Sequence, residues 1–270
     1  MATFTASDGC RFHYDLFGTT GPWVALIPGL GGDGRFWNGV VARLVSDHRL
    51  LVVDHRGAGR SERPAGPYSI PLIAADIAAL LAARGEPAHV VGHSTGGAIA
   101  QVLALDHPPF GLSYTISSSW ARADARFRAL FTARAELLEA GLAATYQRLT
   151  HVFGHETAYL DQHAEPLEAA VAAAPATLAP LTVAAARVRM LLDHDRLDDL
   201  LRLAARVQVI AANDDILTPP ALSRAVADAI PGAAFHTLPG AHFHPVTHPE
   251  GFAAIIRRFV VGAVDRGAPR

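Results

Sequence analysis

The chain has 270 residues, half of them hydrophobic and 18% charged, which suits one large α/β domain with an inserted subdomain and excludes a disordered chain. A net charge of −2 gives no electrostatic basis for binding nucleic acid or an anionic membrane. All 23 basic residues are arginine, so a Schiff-base lysine, a Walker lysine and a Ser-Lys dyad are excluded. Cys10 stands alone and cannot form an internal disulfide. The N-terminal MATFTASDGCRFHYDL has no apolar core of signal-peptide length, which makes a cytoplasmic location the expectation.

Residues 3–6 and 10–17 alternate around Asp8-Gly9 and predict an antiparallel hairpin. WVALI (23–27) predicts a buried strand ending at Pro28-Gly29. Next, Gly29, Gly31 and Gly34 in LIPGLGGDGRFW match the spacing G-x-G-x-x-G. Asp54 ends a second apolar run about twenty residues on, as in a dinucleotide site. The same glycines would serve any anion that needs close approach of the backbone.

A helix is predicted from Phe36 to Ser46, a strand at LLVVD (50–54) and a helix from Ile73 to Arg84. A strand at AHVVG (88–92), a helix from Ala98 to His107 and a strand from Leu112 to Ser117 follow. This alternation predicts a parallel sheet covered on both faces. From Trp120 to Ala205 only helical patterns occur, with breaks near Gly141, Gly154 and Pro175. VQVIAA (207–212), a helix from Pro220 to Ile230, AAFHTL (233–238) and a final helix to about Val264 resume the alternation. The expected organisation is a core of 1–119 and 206–270 interrupted by a helical cap, 120–205. The uncharged stretch Ala169–Ala186 contains Pro175 and Pro180, and so reads as short packed helices, not a membrane span.

The strand AHVVG runs into His93-Ser94-Thr95-Gly96-Gly97 and then a helix. Gly92-x-Ser94-x-Gly96 has the nucleophile-elbow spacing, in which a serine on a tight strand-to-helix turn needs neighbours without Cβ atoms. Its hydroxyl would stand at the positive end of the helix, where an oxyanion is favoured. Such a serine requires a base, and the base an orienting acid. Asn213-Asp214-Asp215 follows the strand VQVIAA, and Gly240-Ala241-His242 follows AAFHTL. Both stand at strand C-termini, on the same sheet edge as Ser94.

With these motifs the chain resembles the α/β-hydrolase fold superfamily over essentially its whole length. The marks are Pro28-Gly29, Asp54-x-Arg56-Gly57-x-Gly59-x-Ser61, Gly92-His93-Ser94-Thr95-Gly96-Gly97, Asp215-x-x-x-Pro219 and Gly240-x-His242. Many members have His-Gly where this chain has Pro28-Gly29. Size and cap are most similar to the branch of 3-oxoadipate enol-lactonases and aminoacrylate hydrolases. The resemblance implies a mostly parallel eight-stranded sheet flanked by helices, with a triad of Ser94, Asp215 and His242. It selects Asp215 over Asp214, as the aspartate four residues before proline, and leaves Asp124 as an alternative acid. By position, the backbone N–H groups of Leu30 and Thr95 form the oxyanion hole. Under this reading the dinucleotide interpretation lapses, and Asp54 and Arg56 become parts of a structural turn.

Trp37, Trp120, Phe131, Met190, Leu217 and Phe243 are the expected pocket residues. His242, His244 and His248 look like a metal tract, but no carboxylate or cysteine cluster accompanies them. His93 is expected to pack against the core. Of the cap arginines Arg122, Arg126, Arg128, Arg134, Arg187 and Arg189, most are expected on solvated helix faces, with one turned inward as the sharper alternative. The expected activity is hydrolysis of a small ester, lactone or related acyl compound through an acyl-enzyme. The substrate would be a small molecule, with no cofactor, metal, nucleic acid or membrane, and a homodimer is allowed. A ligand receptor, a cofactor-free oxygenase and a C–C bond hydrolase on the same fold are the competing classes.

Overall fold

Eight strands pair into one mixed sheet in the computed structural model, which describes residues 2–31 and 33–264. They are β1 (Ala2–Thr5), β2 (Arg11–Phe17), β3 (Trp23–Ile27), β4 (Arg49–Val53), β5 (Ala88–His93), β6 (Gly111–Ser117), β7 (Val207–Ala212) and β8 (Ala234–Leu238). Their spatial order is β1-β2-β4-β3-β5-β6-β7-β8, antiparallel at β1/β2 and β2/β4 and parallel from β4 to β8. From β3 the chain moves outward to β4 and then returns across β3 to β5. The order therefore reverses between β3 and β5, where open α/β sheets collect their ligands.

The helices are α1 (Asn38–Leu44), α2 (Ile70–Arg84), α3 (Thr95–Asp106), α4 (Ala125–Glu139), α5 (Ala143–Gly154) and α6 (Thr157–Gln162). Five more follow: α7 (Ala164–Thr177), α8 (Leu181–Arg189), α9 (Pro220–Ala229), α10 (His244–Thr247) and α11 (Pro249–Val264). Helices α4 to α8 all fall between β6 and β7.

Strands β3, β5 and β7 are buried along their whole length, which is why they read as unbroken apolar runs. Alternate residues serve opposite faces. Val24 and Leu26 pack with α1 and α11 through Trp37, Leu44, Phe252 and Ile256. Ala25 and Ile27 pack with α2 and α3 through Ile73, Ile77, Ile99 and Leu103.

Several helix boundaries differ from the sequence expectation, among them the start of α3 at Thr95 instead of Ala98, and two of the differences have a clear local reason. α2 begins at Ile70, three residues before the expected Ile73, because Ser69 caps the amide of Leu72 and Pro71 suits the first turn. Pro175 does not break the cap but lies inside the last turn of α7, where only one intrahelical hydrogen bond is forfeited. The break comes at 178–180, and the flanking helical segments meet at 103°. Among the described residues no single helix is long and apolar enough to cross a membrane.

The turn from β5 to α3 is the tightest constraint. Ser94 has φ 54° and ψ −118°, a strained conformation for a residue with a Cβ. Its neighbours hold it there: its N–H donates to Ser117 O at 2.8 Å, and its carbonyl accepts from Gly97 N and Ser119 Oγ, each at 2.8 Å. A Cβ on Gly92 would lie 2.0 Å from Gly96 O, and one on Gly96 would lie 2.1 Å from Ile27 O. Both contacts are with backbone, which cannot swing aside. Gly96→Ala is therefore expected to destabilise the fold by ~3 kcal/mol or more, lowering the melting temperature by about 6–12 °C. A thermal melt of the purified variant within about 2 °C of the parent would contradict this packing.

Candidate active site

Ser94 and His242, both buried, line one cavity of about 260 Å³ at the C-terminal edge of the sheet. His242 Nδ1 lies 2.7 Å from Asp215 Oδ2. The loop after β7 fixes this carboxylate, since Asp215 Oδ1 accepts from the amides of Leu217 at 2.9 Å and Thr218 at 2.8 Å. The Thr218 hydroxyl donates to Ser118 O at 2.9 Å and lies 3.0 Å from Asp215 Oδ2. Burial acts to raise the Asp215 pKa, but the His242 imidazole and the bonds from Thr218 outweigh it and hold the carboxyl below its ordinary value. Asp214 is exposed, so it is Asp215 that reaches the imidazole. Asp124 is also exposed and caps α4, accepting from Phe127 N at 2.7 Å.

The loop after β3 runs beside the serine. A Cβ on Gly29 would lie 3.3 Å from Ser94 Cβ and 3.8 Å from its Oγ, and Leu30 lines the cavity. Thr95 opens α3 immediately after Ser94, so its N–H belongs to the unpaired first turn of a helix. Asp54 is spent within its own turn. It accepts from Gly34 N at 2.6 Å and Arg60 N at 2.8 Å and pairs with the Arg60 guanidinium at 2.8 Å, leaving neither oxygen for a ribose. Arg56 is likewise structural, pairing with Asp76 at 2.5 Å and Asp8 at 2.7 Å.

Of the expected pocket residues, Phe131, Leu217 and Phe243 line the cavity. Trp37, Trp120 and Met190 do not. Trp37 is fully buried against Phe252 at 5.7 Å, and Trp120 against Phe127 at 4.6 Å. Met190 is buried in the larger core cluster. In two cases an adjacent residue faces the cavity instead, Phe36 beside Trp37 and Leu191 beside Met190. On a tight 3-10 turn consecutive side chains leave on different faces, and sequence proximity to the site cannot decide between them.

His93 packs as expected, its ring stacked on Phe36 at 5.0 Å and its Nδ1 3.2 Å from Ser117 Oγ. It also borders the cavity, 4.8 Å from the His242 ring. Burial, then the neighbouring His242 and His244, push its pKa well below the ordinary value, so it is neutral. His244 is buried at the start of α10 with Nε2 3.1 Å from Ser117 Oγ, and His248 lies 2.8 Å from Thr247 Oγ1. Among the described residues no group of His, Cys, Asp and Glu could hold a metal ion.

The cap contributes a polar wall that the motifs did not announce. Gln147, Thr150 and His151 lie on one face of α5, and Arg134 reaches the cavity from α4. Arg134 is one of the arginines among which an inward-turned residue is the sharper alternative, and for the rest of the wall the trace in the sequence is the four-residue spacing of Gln147 and His151. Arg134 is 4% exposed and donates to Thr150 Oγ1 at 2.9 Å, with its guanidinium over Tyr146 at 4.5 Å. Its Nε and Nη1 have no hydrogen-bond partner, and none of the cavity's lining residues is acidic. Burial lowers the pKa of His151, and that of His155 to about 4, so the fixed charge in this wall is the arginine's. Outside the cavity, Arg122 pairs with Asp195 and Asp198, and Arg189 with Glu139. Arg126 and Arg128 bond the carbonyls of Ile216 and Leu192. Arg187 is buried among backbone carbonyls.

A serine on a strained strand-to-helix turn, in one cavity with a histidine–aspartate pair from later strand ends, is the arrangement of enzymes built on the hydrolase type of α/β sheet. The sequence model of the alpha/beta hydrolase family matches residues 24–255, and the chain belongs to that family and is a hydrolase. Two similar relatives carry the name carbamate hydrolase RutD. The Azorhizobium caulinodans protein is 35% identical, covering 82% of this chain and 83% of its own length. The protein of Caulobacter sp. strain K31 is also 35% identical, covering 88% and 90%. In fold, the chain is similar to the enol-lactonase of Burkholderia xenovorans LB400, with a TM-score of 0.86, 24% identity and coverage of 94% and 98%.

The His242–Asp215 contact should give a strongly downfield imidazole N–H proton resonance. Asp215→Asn is expected to abolish that signal and Asp214→Asn to leave it in place. Proton NMR of the two variants decides which aspartate holds the histidine.

Proposed function

We propose that this hydrolase cleaves a small ester, lactone or related acyl compound through a Ser94 acyl-enzyme, and that its substrate carries a carboxylate. The observation that carries the reading is the buried Asp215–His242 pair sharing one small cavity with the strained Ser94. In this mechanism His242 takes the Ser94 proton as Oγ attacks the carbonyl carbon. The tetrahedral oxyanion is received by the N–H groups of Leu30 and Thr95. Collapse expels the leaving group, protonated by His242, and a water activated by the same imidazole then releases the acid. Asp215 keeps the imidazole in the required tautomer and stabilises its protonated form. The names of the relatives, carbamate hydrolase and enol-lactonase, fit a small acyl substrate.

Two features support the substrate class. A cavity of about 260 Å³ lies at the small end for ligand sites, which disfavours long acyl chains. Arg134 presents a buried guanidinium with unused donors and no carboxylate beside it, an arrangement that a substrate carboxylate would complete. Charge-assisted pairing of this kind contributes roughly 1.5–3 kcal/mol.

Ser94→Ala is expected to lower kcat on p-nitrophenyl acetate by about 10⁴-fold or more and to abolish labelling by a fluorophosphonate probe. Residual activity close to the parent would reject the serine mechanism. Arg134→Met should cut kcat/KM for an acidic lactone by about ten- to a hundredfold while sparing its methyl ester. An equal loss on both substrates would reject the carboxylate and leave Ser94 in place.

A further inference from the structure

Arg187 is the second buried arginine of the cap, and both of its terminal nitrogens are bonded to backbone carbonyls. It projects from α8 and is 2% exposed, yet among the described residues no carboxylate pairs with it. Nη2 donates to the carbonyl of Leu30, Nη1 to the carbonyl of Arg56, and Nη2 also lies 3.5 Å from His55 Nδ1. The turn after β4 makes room for it. Gly57 has φ 79°, and a Cβ there would lie 2.8 Å from Arg187 Cδ and 2.8 Å from the Tyr68 ring. Burying a cation without a counter-ion is costly, and an apolar side chain of similar volume would pack there at less expense. Burial lowers the pKa of this arginine to about 10, yet leaves it charged near neutral pH.

What the charge secures is the peptide between Leu30 and Gly31, on the carbonyl side of the Leu30 N–H. Leu30 is flanked by Gly29 and Gly31, so its own neighbours impose little preference for one backbone conformation. An N–H donor stabilises a developing oxyanion only when it is fixed in place beforehand. The geometry points to Arg187 as a positioning residue for the oxyanion hole: by holding the Leu30 carbonyl, the cap helix α8 anchors the peptide plane between Leu30 and Gly31, which restrains the backbone torsions of Leu30 and through them the direction of its N–H. This inference rests on the serine-hydrolase reading, and it makes a seated cap a condition for an ordered oxyanion loop.

The test compares a tetrahedral with a planar ligand. Phenylboronic acid forms a tetrahedral adduct with an active serine and needs the oxyanion donors, whereas benzoate occupies the cavity as a planar acid. In Arg187→Met, the inhibition constant of phenylboronic acid is expected to rise by about ten- to a hundredfold, somewhat less than deleting a donor outright. That of benzoate should change by less than about threefold, and kcat on p-nitrophenyl acetate should fall with little change in KM. A merely structural tether would move both inhibitors together or neither, and either result overturns the inference. If Arg187→Met does not fold, as judged by circular dichroism, Arg187→Gln is subjected to the same comparison and the same criteria. If the parent enzyme binds no boronate and hydrolyses no ester, the serine reading fails and this role falls with it. If the parent does both and the variant matches it, only the role of Arg187 is rejected.

Discussion

Strand β5 must become helix α3 within one residue while α3 lies directly against the carbonyl of Ile27 at the end of β3, and the rest of the site is arranged around that crossing. The close approach removes the Cβ atoms at Gly92 and Gly96 and forces Ser94 to φ 54°. Strain of this kind costs about 1–3 kcal/mol and persists only where its surroundings over-determine it. Here the end of β6 takes the Ser94 N–H, and α3 and Ser119 take its carbonyl. The same crossing brings the loop after β3 to within van der Waals distance of the serine. Because β3 and β5 flank the point where the strand order reverses, one geometric requirement sets Ser94, the start of α3 and the adjacent glycine loop together.

The cap's two buried arginines meet the same electrostatic problem in opposite ways. A guanidinium removed from water needs acceptors for five N–H groups. Arg187 finds backbone carbonyls from two core loops, so its charge joins the cap to the sheet. Arg134 finds one hydroxyl and an aromatic face, and leaves Nε and Nη1 unused. A cation over an aromatic ring gains roughly 0.5–2 kcal/mol, which does not replace the missing hydrogen bonds. Both terminal nitrogens of Arg187 are bonded to backbone, whereas Arg134 leaves two of its three nitrogens without an acceptor. The difference separates a guanidinium spent on the fold from one with donors left over, although both residues are arginines on apolar-flanked cap helices.

Much of the fold was legible because its signals are local. The buried inner strands are continuous apolar runs, WVALI and VQVIAA among them, and their ends match the structure to within a residue. The placement of the candidate site residues was legible for a related reason, since strand-to-loop boundaries put Ser94, Asp215 and His242 on one sheet edge. Side-chain direction was less accessible. Trp37 and Met190 turn into the core while Phe36 and Leu191 border the cavity, a difference of one position on a tight turn. Thr218 carries no motif, yet it contacts both Asp215 and His242. The separate fates of Arg134 and Arg187 depend on how α4, α5 and α8 pack, which no local pattern encodes. Pro175 shows a signal read too strongly, because a proline near a helix end costs one hydrogen bond and need not stop the helix.

The glycine loop after β3 illustrates how one pattern can serve two chemistries. A pyrophosphate and a tetrahedral oxyanion both require backbone N–H groups to approach closely, and both select glycine at the same spacing. The acidic residue twenty positions on distinguishes them by what it touches. In a dinucleotide site it must present free oxygens to a ribose. Here Asp54 turns back on the loop itself, accepting the Gly34 amide and the Arg60 amide and guanidinium. Burial alone would raise its pKa, but those contacts hold it below the ordinary value, so it stays ionised in the interior. Its charge ties the Gly34 amide to Arg60, and both of its oxygens are taken by these contacts. Read this way, the carboxylate and Arg187 act on the same loop from opposite sides, one through an amide and the other through a carbonyl. A glycine-rich segment gains from outside the order that its own residues do not supply.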